Sequence, residues 1–280
     1  MKADLHLHTT ASDGRLSPEE LVRRASGLGI EVISLTDHDS VEGVPAALAE
    51  AANHSGLTVI PGVEISTDVQ SGEVHMLGYF VDCLDPHLKQ SLGELRNSRY
   101  ERGRKMVAKL ANLGVQIDFD RVLELADGGA VGRPHVAQAM LERGYISSFK
   151  EAFIRYIGRN GPAYVQRKKL TPVEAMMLVL KAKGLPVLAH PAEVPGVEPL
   201  VLNLKKAGMV GLEVYYNGYA PNVVAWLEGL ARQHDLIATG GSDYHGIDNG
   251  VGSPIGSIDV PRENVERLMA MANRSLEVGR

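Results

Sequence analysis

The strongest constraint on this chain is an alternation of short apolar runs with helical stretches, broken once and then resumed. Residues 3–7, 31–35 and 57–65 are apolar runs of strand length, and 17–28 and 45–54 between them have helical spacing. Ser17-Pro18-Glu19-Glu20 is a capping box with proline at the first helical position, and Gly29 stops that helix. A fourth strand covers 73–81. Strands apolar on both faces, with helices between them, imply a mostly parallel sheet buried under its crossovers. From residue 85 to about 169 the period is helical: 86–113 reads as one long or broken helix, Asp118 caps a shorter one, and 134–143 and 149–157 read as two more. At Thr171-Pro172-Val173-Glu174 a capped helix restarts the alternation. Strands follow at 185–190, 211–215 and 236–239, and helices near 198–207, 221–234 and 262–272. The expectation is a barrel in two segments, 1–84 and 170–280, carrying an inserted helical, substrate-capping subdomain at 85–169.

A length of 280 residues suits one α/β barrel or two ordinary domains. There is no run of about 18 apolar residues to span a membrane, and no charged-then-apolar leader opens the chain. The single cysteine, Cys83, excludes an internal disulfide and reads as a buried strand-end thiol. A reducing, cytoplasmic location is therefore expected. The net charge of −5 is unevenly spread: 85–170 holds 16 Lys and Arg against 9 Asp and Glu, and the remainder 13 against 25. An acidic body with a basic segment suits a cation-holding scaffold with an anion-reading attachment, although a solvated helical insert would look the same.

In the first strand His6 and His8 flank Leu7, so both imidazoles leave one face. Asp13 follows in a turn ended by Gly14. That pair alone suits a divalent cation, or two solvent-exposed histidines on an edge strand. The rest of the chain decides. His6, His8, His38, Glu64, His75, His190, Asp243 and His245 all fall on, at or just after a strand end. Parallel barrels build their sites from those ends, and random placement would not sort six of ten histidines so. Imidazole with carboxylate is the mixed ligand set of manganese, zinc or iron. Asp37 and Asp39 flank His38 and suit either its orientation or solvent. Gly240-Gly241 reads as a turn that lets the backbone pass near the cations.

In chain order, His6-Leu7-His8, Thr36-Asp37-His38, Glu64, His75, His190 and Asp243-Tyr244-His245 resemble the motifs of the PHP (polymerase and histidinol phosphatase) family, over 1–82 and 171–260. The resemblance implies a distorted (β/α)7 barrel, two or three divalent cations and phosphoester hydrolysis. Manganese is the first expectation, with zinc or iron as alternatives. By this resemblance His6, His8, Glu64 and Asp243 would hold one cation, and Glu64 would bridge to a second held by His75 and His190. Asp13, His38 and His245 would hold a third. Glu64, Asp243 and His8 are the expected catalytic residues. A hydroxide shared by two cations would attack in line with phosphorus. The usual covalent alternatives are missing: Cys83 has no obvious partner histidine, and there is no Gly-x-Ser-x-Gly elbow or Walker-type loop.

The insert is expected to select the substrate. Arg99 and Arg102 share a helical face, and Arg133-Pro134-His135 opens a helix where backbone N–H groups favour anions. Guanidinium forks suit phosphate, though each arginine also suits a solvated surface. Arg167-Lys168-Lys169 reads as a solvated charge run, and Tyr215-Tyr216-Asn217 as a base-contacting rim or a packing element. The insert and Val131-Gly132-Arg133-Pro134-His135 further resemble a PHP subgroup that hydrolyses nucleoside 3′,5′-bisphosphates or trims short 5′-phosphorylated RNA. The partner expected is a nucleotide or short single-stranded RNA, with no membrane and no tight duplex binding. Two other readings stand beside it: a histidinol-phosphate phosphatase, and a non-catalytic module that metals merely stabilise.

Overall fold

A computed structural model describes residues 1–69, 72–166, 170–246 and 254–278; the 167–169 charge run lies outside them. Seven strands form one sheet in sequence order: β1 (Ala3–Leu7), β2 (Val32–Leu35), β3 (Thr58–Val69), β4 (Gly72–Tyr79), β5 (Leu185–Leu188), β6 (Gly211–Tyr216) and β7 (Ile237–Gly241). The sheet curls until its ends nearly meet. His8 N–H donates to the Tyr244 carbonyl and Asp243 N–H to the His6 carbonyl, both at 3.0 Å. The architecture is a nearly closed seven-stranded α/β barrel.

The strands explain their own burial. β1, β2 and β5 are buried at every position, as strands covered on both faces must be. Helices α1 (Pro18–Gly27) and α2 (Val44–Ala51) cover the first strands, and α7 (Pro172–Lys181), α8 (Glu198–Ala207), α9 (Pro221–Gln233) and α10 (Arg262–Val278) the later ones. The expected capping box of Ser17 with Glu20 forms, and the capped start expected at Thr171 is a capping box with Glu174. The parallel pattern has one exception. β4 runs antiparallel to both β3 and β5. Only two residues separate β3 from β4, enough for an antiparallel pair and far too few for a parallel crossover.

Between β4 and α7 come α3 (Pro86–Asn112), α4 (Phe119–Ala126), α5 (Arg133–Glu142) and α6 (Phe149–Ala152), the last continued by a π-helical turn, Phe153–Ile157. Met106, Leu110, Val122, Val136, Met140 and Ile157 are buried in a core of their own. Leu88, Leu92 and Leu95, earlier on α3, pack instead into the barrel's cluster with Met76, Val179 and Leu188. One long helix is thus rooted in the barrel and supports the helical segment at its far end. Two smaller expectations change. Gly240 and Gly241 are not a turn but the end of β7, where a Cβ would meet the Tyr215 carbonyl at 2.3 Å and His6 N at 2.4 Å. Cys83 is half-buried and lies beyond the end of β4.

Candidate metal centre

Parallel strands bring their C-terminal ends to one rim. His6 lies in β1 and His8 one residue past it; Asp13 sits in the following turn, and His38 in the loop after β2. Glu64 lies within β3, His190 follows β5, and Asp243 and His245 follow β7. His75 reaches the same rim because β4 runs backwards: its early residues lie beside the late residues of β3, with His75 paired to Ser66. All nine residues expected as ligands meet there.

Glu64 is the centre. Its Oε2 lies 3.3 Å from Nε2 of both His6 and His8 and 3.0 Å from His38 Nδ1. Its Oε1 lies 2.7 Å from His75 Nδ1 and 3.2 Å from His190 Nε2. One carboxylate therefore faces five imidazoles, each oxygen serving its own set. Asp243 Oδ1 lies 3.3 Å from His6 Nε2 and 3.0 Å from His8 Nε2. Asp13 Oδ1 is 3.8 Å from His8 Nδ1 and 3.4 Å from His245 Nε2. Three groups with ligand atoms within 4.8 Å of one another result: His6, His8, Glu64 and Asp243; His38, Glu64 and His75; and His8, Asp13, His38 and His245. His8, His38 and Glu64 each join two groups, and His190, 3.2 Å from Glu64 Oε1, falls in none of the three.

These residues fit cations better than they fit one another. His6 Nε2, both ring nitrogens of His8, His38 Nδ1, Asp13 Oδ1, Glu64 Oε2 and Asp243 Oδ1 are buried without a well-aligned hydrogen bond. Buried polar atoms normally have partners. Atoms this close yet misaligned point at shared spaces between them, and nitrogen with carboxylate oxygen is the donor chemistry of Mn, Zn and Fe. Without cations, protons balance the charge. Burial would raise the Glu64 carboxyl, but His38, His75, His6 and a His190 hydrogen bond hold it well below the usual range. Burial opposes charge on His190, yet Glu193 and Glu64 lift it to about 10. His245 is likewise disfavoured by burial and lifted to about 10 by Asp13 and Asp243. His75 goes down instead, because burial with His190 and His38 outweighs Glu64.

A layer of buried acids lies behind the cluster. Asp37 accepts from Thr9 N–H (2.7 Å), Thr9 Oγ1 (2.7 Å) and Ser12 Oγ (2.6 Å), and so shapes the turn that carries Asp13. Asp39 accepts from Ser66 N–H at 2.9 Å and pairs with Arg99 at 2.6 Å. Both acids are thus buried among donors rather than solvated. Asp4 and Glu213, which no motif singles out, are fully buried. Asp4 accepts from Ser242 N–H (2.9 Å) and Gly256 N–H (2.8 Å), tying the barrel seam. Glu213 lies 2.8 Å from His6 Nδ1 and accepts from His190 N–H at 2.8 Å. The signal that could have found them is an acid inside an otherwise apolar strand, a position where charge is costly unless paired. Tyr216 donates to Asp243 Oδ2 at 2.7 Å, whereas Tyr215 turns away to Glu228. His190 (φ +27°) and Asp243 (φ +53°) adopt left-handed backbone, at a cost of about 1–3 kcal/mol each that functional sites commonly carry.

The arginines sit differently from the cluster. Arg99 is buried, with Nε on Asp39 and a terminal nitrogen 2.6 Å from Ser66 Oγ. Arg102 donates to the Val165 carbonyl at 3.1 Å and lies over Tyr164. Arg133 pairs with Glu73 of β4 and stacks on Phe153. His135 is mostly buried, and its Nδ1 accepts the Gly132 N–H at 3.0 Å. His135 and Asp13 line one cleft of about 440 Å3, between the 10–15 turn and helices α4 and α5.

A rim of imidazole and carboxylate donors that could bind metal, with Asp13 reaching the edge of that cleft, fits a metal-dependent phosphoesterase, and comparison with known proteins agrees. The pattern of the PHP domain family matches residues 4–157, more than half of the chain, and the chain belongs to that family. It is 36% identical over 247 residues to the 5′-3′ exoribonuclease Rnm of Salmonella typhimurium, covering 86% of this chain and 84% of that one. It is 31% identical over 252 residues to the 3′,5′-nucleoside bisphosphate phosphatase of Chromobacterium violaceum, covering 88% of each. Among solved structures, an amidohydrolase from Chromobacterium violaceum with bound sulfate and no metal superposes with a TM-score of 0.88 at 30% identity, over 96% of both chains.

Proposed function

We propose that this enzyme removes phosphate from nucleoside 3′,5′-bisphosphates and also acts on short 5′-phosphorylated RNA, using two or three divalent cations, manganese first among them. The observation that carries the reading is the cleft that leads away from Asp13 and His135, lined further by Thr10, Arg15, Pro134 and Phe149. A phosphoryl group at the cluster leaves the rest of its nucleotide to lie there, and the volume is that of a small-molecule site. Glu124 and Glu142 on the outer wall are tied to Arg121, so they do not offer a free acidic socket for the amine of histidinol phosphate.

In this reading His6, His8, Glu64 and Asp243 hold one cation, Glu64 with His75 and His190 a second, and Asp13, His38 and His245 a third. Bound cations supply Lewis acidity toward a phosphoryl oxygen and a lowered pKa for water. Glu64 turns Oε2 toward His6, His8 and His38 and Oε1 toward His75 and His190, so it would reach two cations at once. Tyr216 fixes the free oxygen of Asp243 through its hydroxyl, so Oδ1 faces the cluster. With Nδ1 accepting from Gly132, neutral His135 carries its proton on Nε2 and can donate it to a phosphate. Arg133 and His135 are the substrate-side groups, while Arg99 and Arg102 hold the helix that roots the 85–169 cap. The insert's other arginines are largely matched with carboxylates, which supports nucleotides and short single strands over duplex. Among the described residues no helix is long and apolar enough to cross a membrane, and the lone cysteine supports a cytoplasmic place for this chemistry.

The test is phosphate release by the manganese-loaded protein from adenosine 3′,5′-bisphosphate, a short 5′-phosphorylated RNA and histidinol phosphate. Turnover of the bisphosphate at least about tenfold above histidinol phosphate is expected, a difference of about 1.4 kcal/mol in the barrier. Preference for histidinol phosphate would overturn the substrate assignment. A folded, metal-loaded protein that hydrolyses no phosphoester would overturn catalysis itself.

A further inference from the structure

We infer that Glu213 is a positioning residue that aims two of the cluster's donors at once: it sets the tautomer of His6 and fixes the backbone from which His190 departs. The inference rests on the metal-cluster reading above and extends it to a residue outside the ligand set.

Glu213 is the third residue of β6, and its neighbours in the strand, Leu212 and Val214, are buried and apolar. Its side chain is fully enclosed. A carboxylate there must find donors, and it finds two, on different strands' ends. Oε1 lies 2.8 Å from His6 Nδ1. Oε2 accepts the backbone N–H of His190 at 2.8 Å. A carboxylate can only accept, so the proton between Glu213 and His6 belongs on Nδ1. The other ring nitrogen, Nε2, then carries the lone pair in neutral His6. Nε2 is the atom 3.3 Å from both Glu64 Oε2 and Asp243 Oδ1, and it has no well-aligned hydrogen bond of its own. With the opposite tautomer, a hydrogen would occupy the place of the cation.

The second contact acts on geometry. His190 is the two-residue step past β5, and its φ of +27° is the smallest among the described positive-φ residues. Its N–H points into Glu213, and its left-handed backbone sends the imidazole toward Glu64, where Nε2 lies 3.2 Å from Oε1. His6 and His190 approach Glu64 through different oxygens. One buried carboxylate thus aligns a donor on each side of the central ligand.

Glu213→Gln separates this role from simple packing. Glutamine has the same shape but offers one acceptor and one donor, so only one of the two N–H groups keeps a partner. The folded variant, monitored by circular dichroism, is expected to bind zinc or manganese about 10- to 100-fold more weakly in competition with a chelating dye. In the zinc-loaded wild type, 15N ring shifts should show His6 with its proton on Nδ1. Should the variant fail to fold, that spectrum still decides. A His6 protonated on Nε2 in the zinc form overturns the inference, and so does a folded Glu213→Gln variant with wild-type metal affinity and stoichiometry. A wild-type protein that takes up no divalent cation overturns the metal reading, and this inference with it.

Discussion

The barrel rim and the helical insert both gather charged side chains, but they leave them in opposite states. At the rim, seven buried nitrogen and oxygen atoms of the His and carboxylate cluster lie close together without aligned hydrogen bonds. In the insert, arginines meet carboxylates, and several of those carboxylates belong to the barrel: Arg96 with Glu42, Arg99 with Asp39 and Arg159 with Asp68. The basic surplus of the insert is therefore, in good part, the mortar between insert and barrel. Unsatisfied buried donors mark where a ligand belongs, and satisfied ones mark where two parts of the chain are joined.

The sharpest way to break this contrast is at Glu64. Glu64→Ala should lower manganese-dependent phosphatase activity by roughly a thousandfold, about 4 kcal/mol in the barrier, and reduce bound metal measured by elemental analysis. Activity near wild type would mean the cluster is not the centre of the chemistry. The matching change on the insert side is Asp39→Asn, which leaves Arg99 buried without its counter-charge. A loss of about 3 kcal/mol in urea unfolding is expected; a loss under about 1 kcal/mol would show that the pair does not join the two parts.

The metal-free rim should also titrate. His190 and His245 hold protons up to about pH 10 against an ordinary value of 6.5, so cation binding must displace protons. Apparent affinity should then rise about tenfold per pH unit for each proton displaced, which calorimetry in buffers of different ionisation enthalpy would read. The same raised values mean that these two histidines stabilise the metal-free fold fully below 6.5 and cease to do so as pH climbs through about 10. A metal affinity flat from about pH 6 to 9 would contradict proton displacement. The smallest effect belongs to Arg133. Because its pair with Glu73 is partly exposed, Arg133→Met should cost at most about 1 kcal/mol of stability. It should raise KM for the bisphosphate while sparing kcat. An unchanged KM would return Arg133 to a joining role like that of Arg99.

Much of the site is legible in the amino-acid sequence. Each ligand candidate stands on or near a strand end, where parallel barrels place function, and the ordered motifs point to the family that the comparison shows. What the motifs do not carry is the layer of acids behind the ligands. Asp4 and Glu213 stand out only as acids inside apolar strands, and folding alone reveals that Glu213 meets His6, more than 200 positions away in sequence. Nor can the arginines be sorted that way. Arg99 on a helix face reads the same whether it faces phosphate or Asp39, because the partner is 60 residues distant.

By itself the sequence determined which elements form and which residue types reach the rim, because local periodicity, capping boxes and strand-end spacing act over a few neighbours. Tertiary structure alone decided the direction of β4, which carries His75 to the shared rim, and which buried charges found partners. Those outcomes depend on chain segments meeting across the barrel, and no local pattern encodes such a meeting.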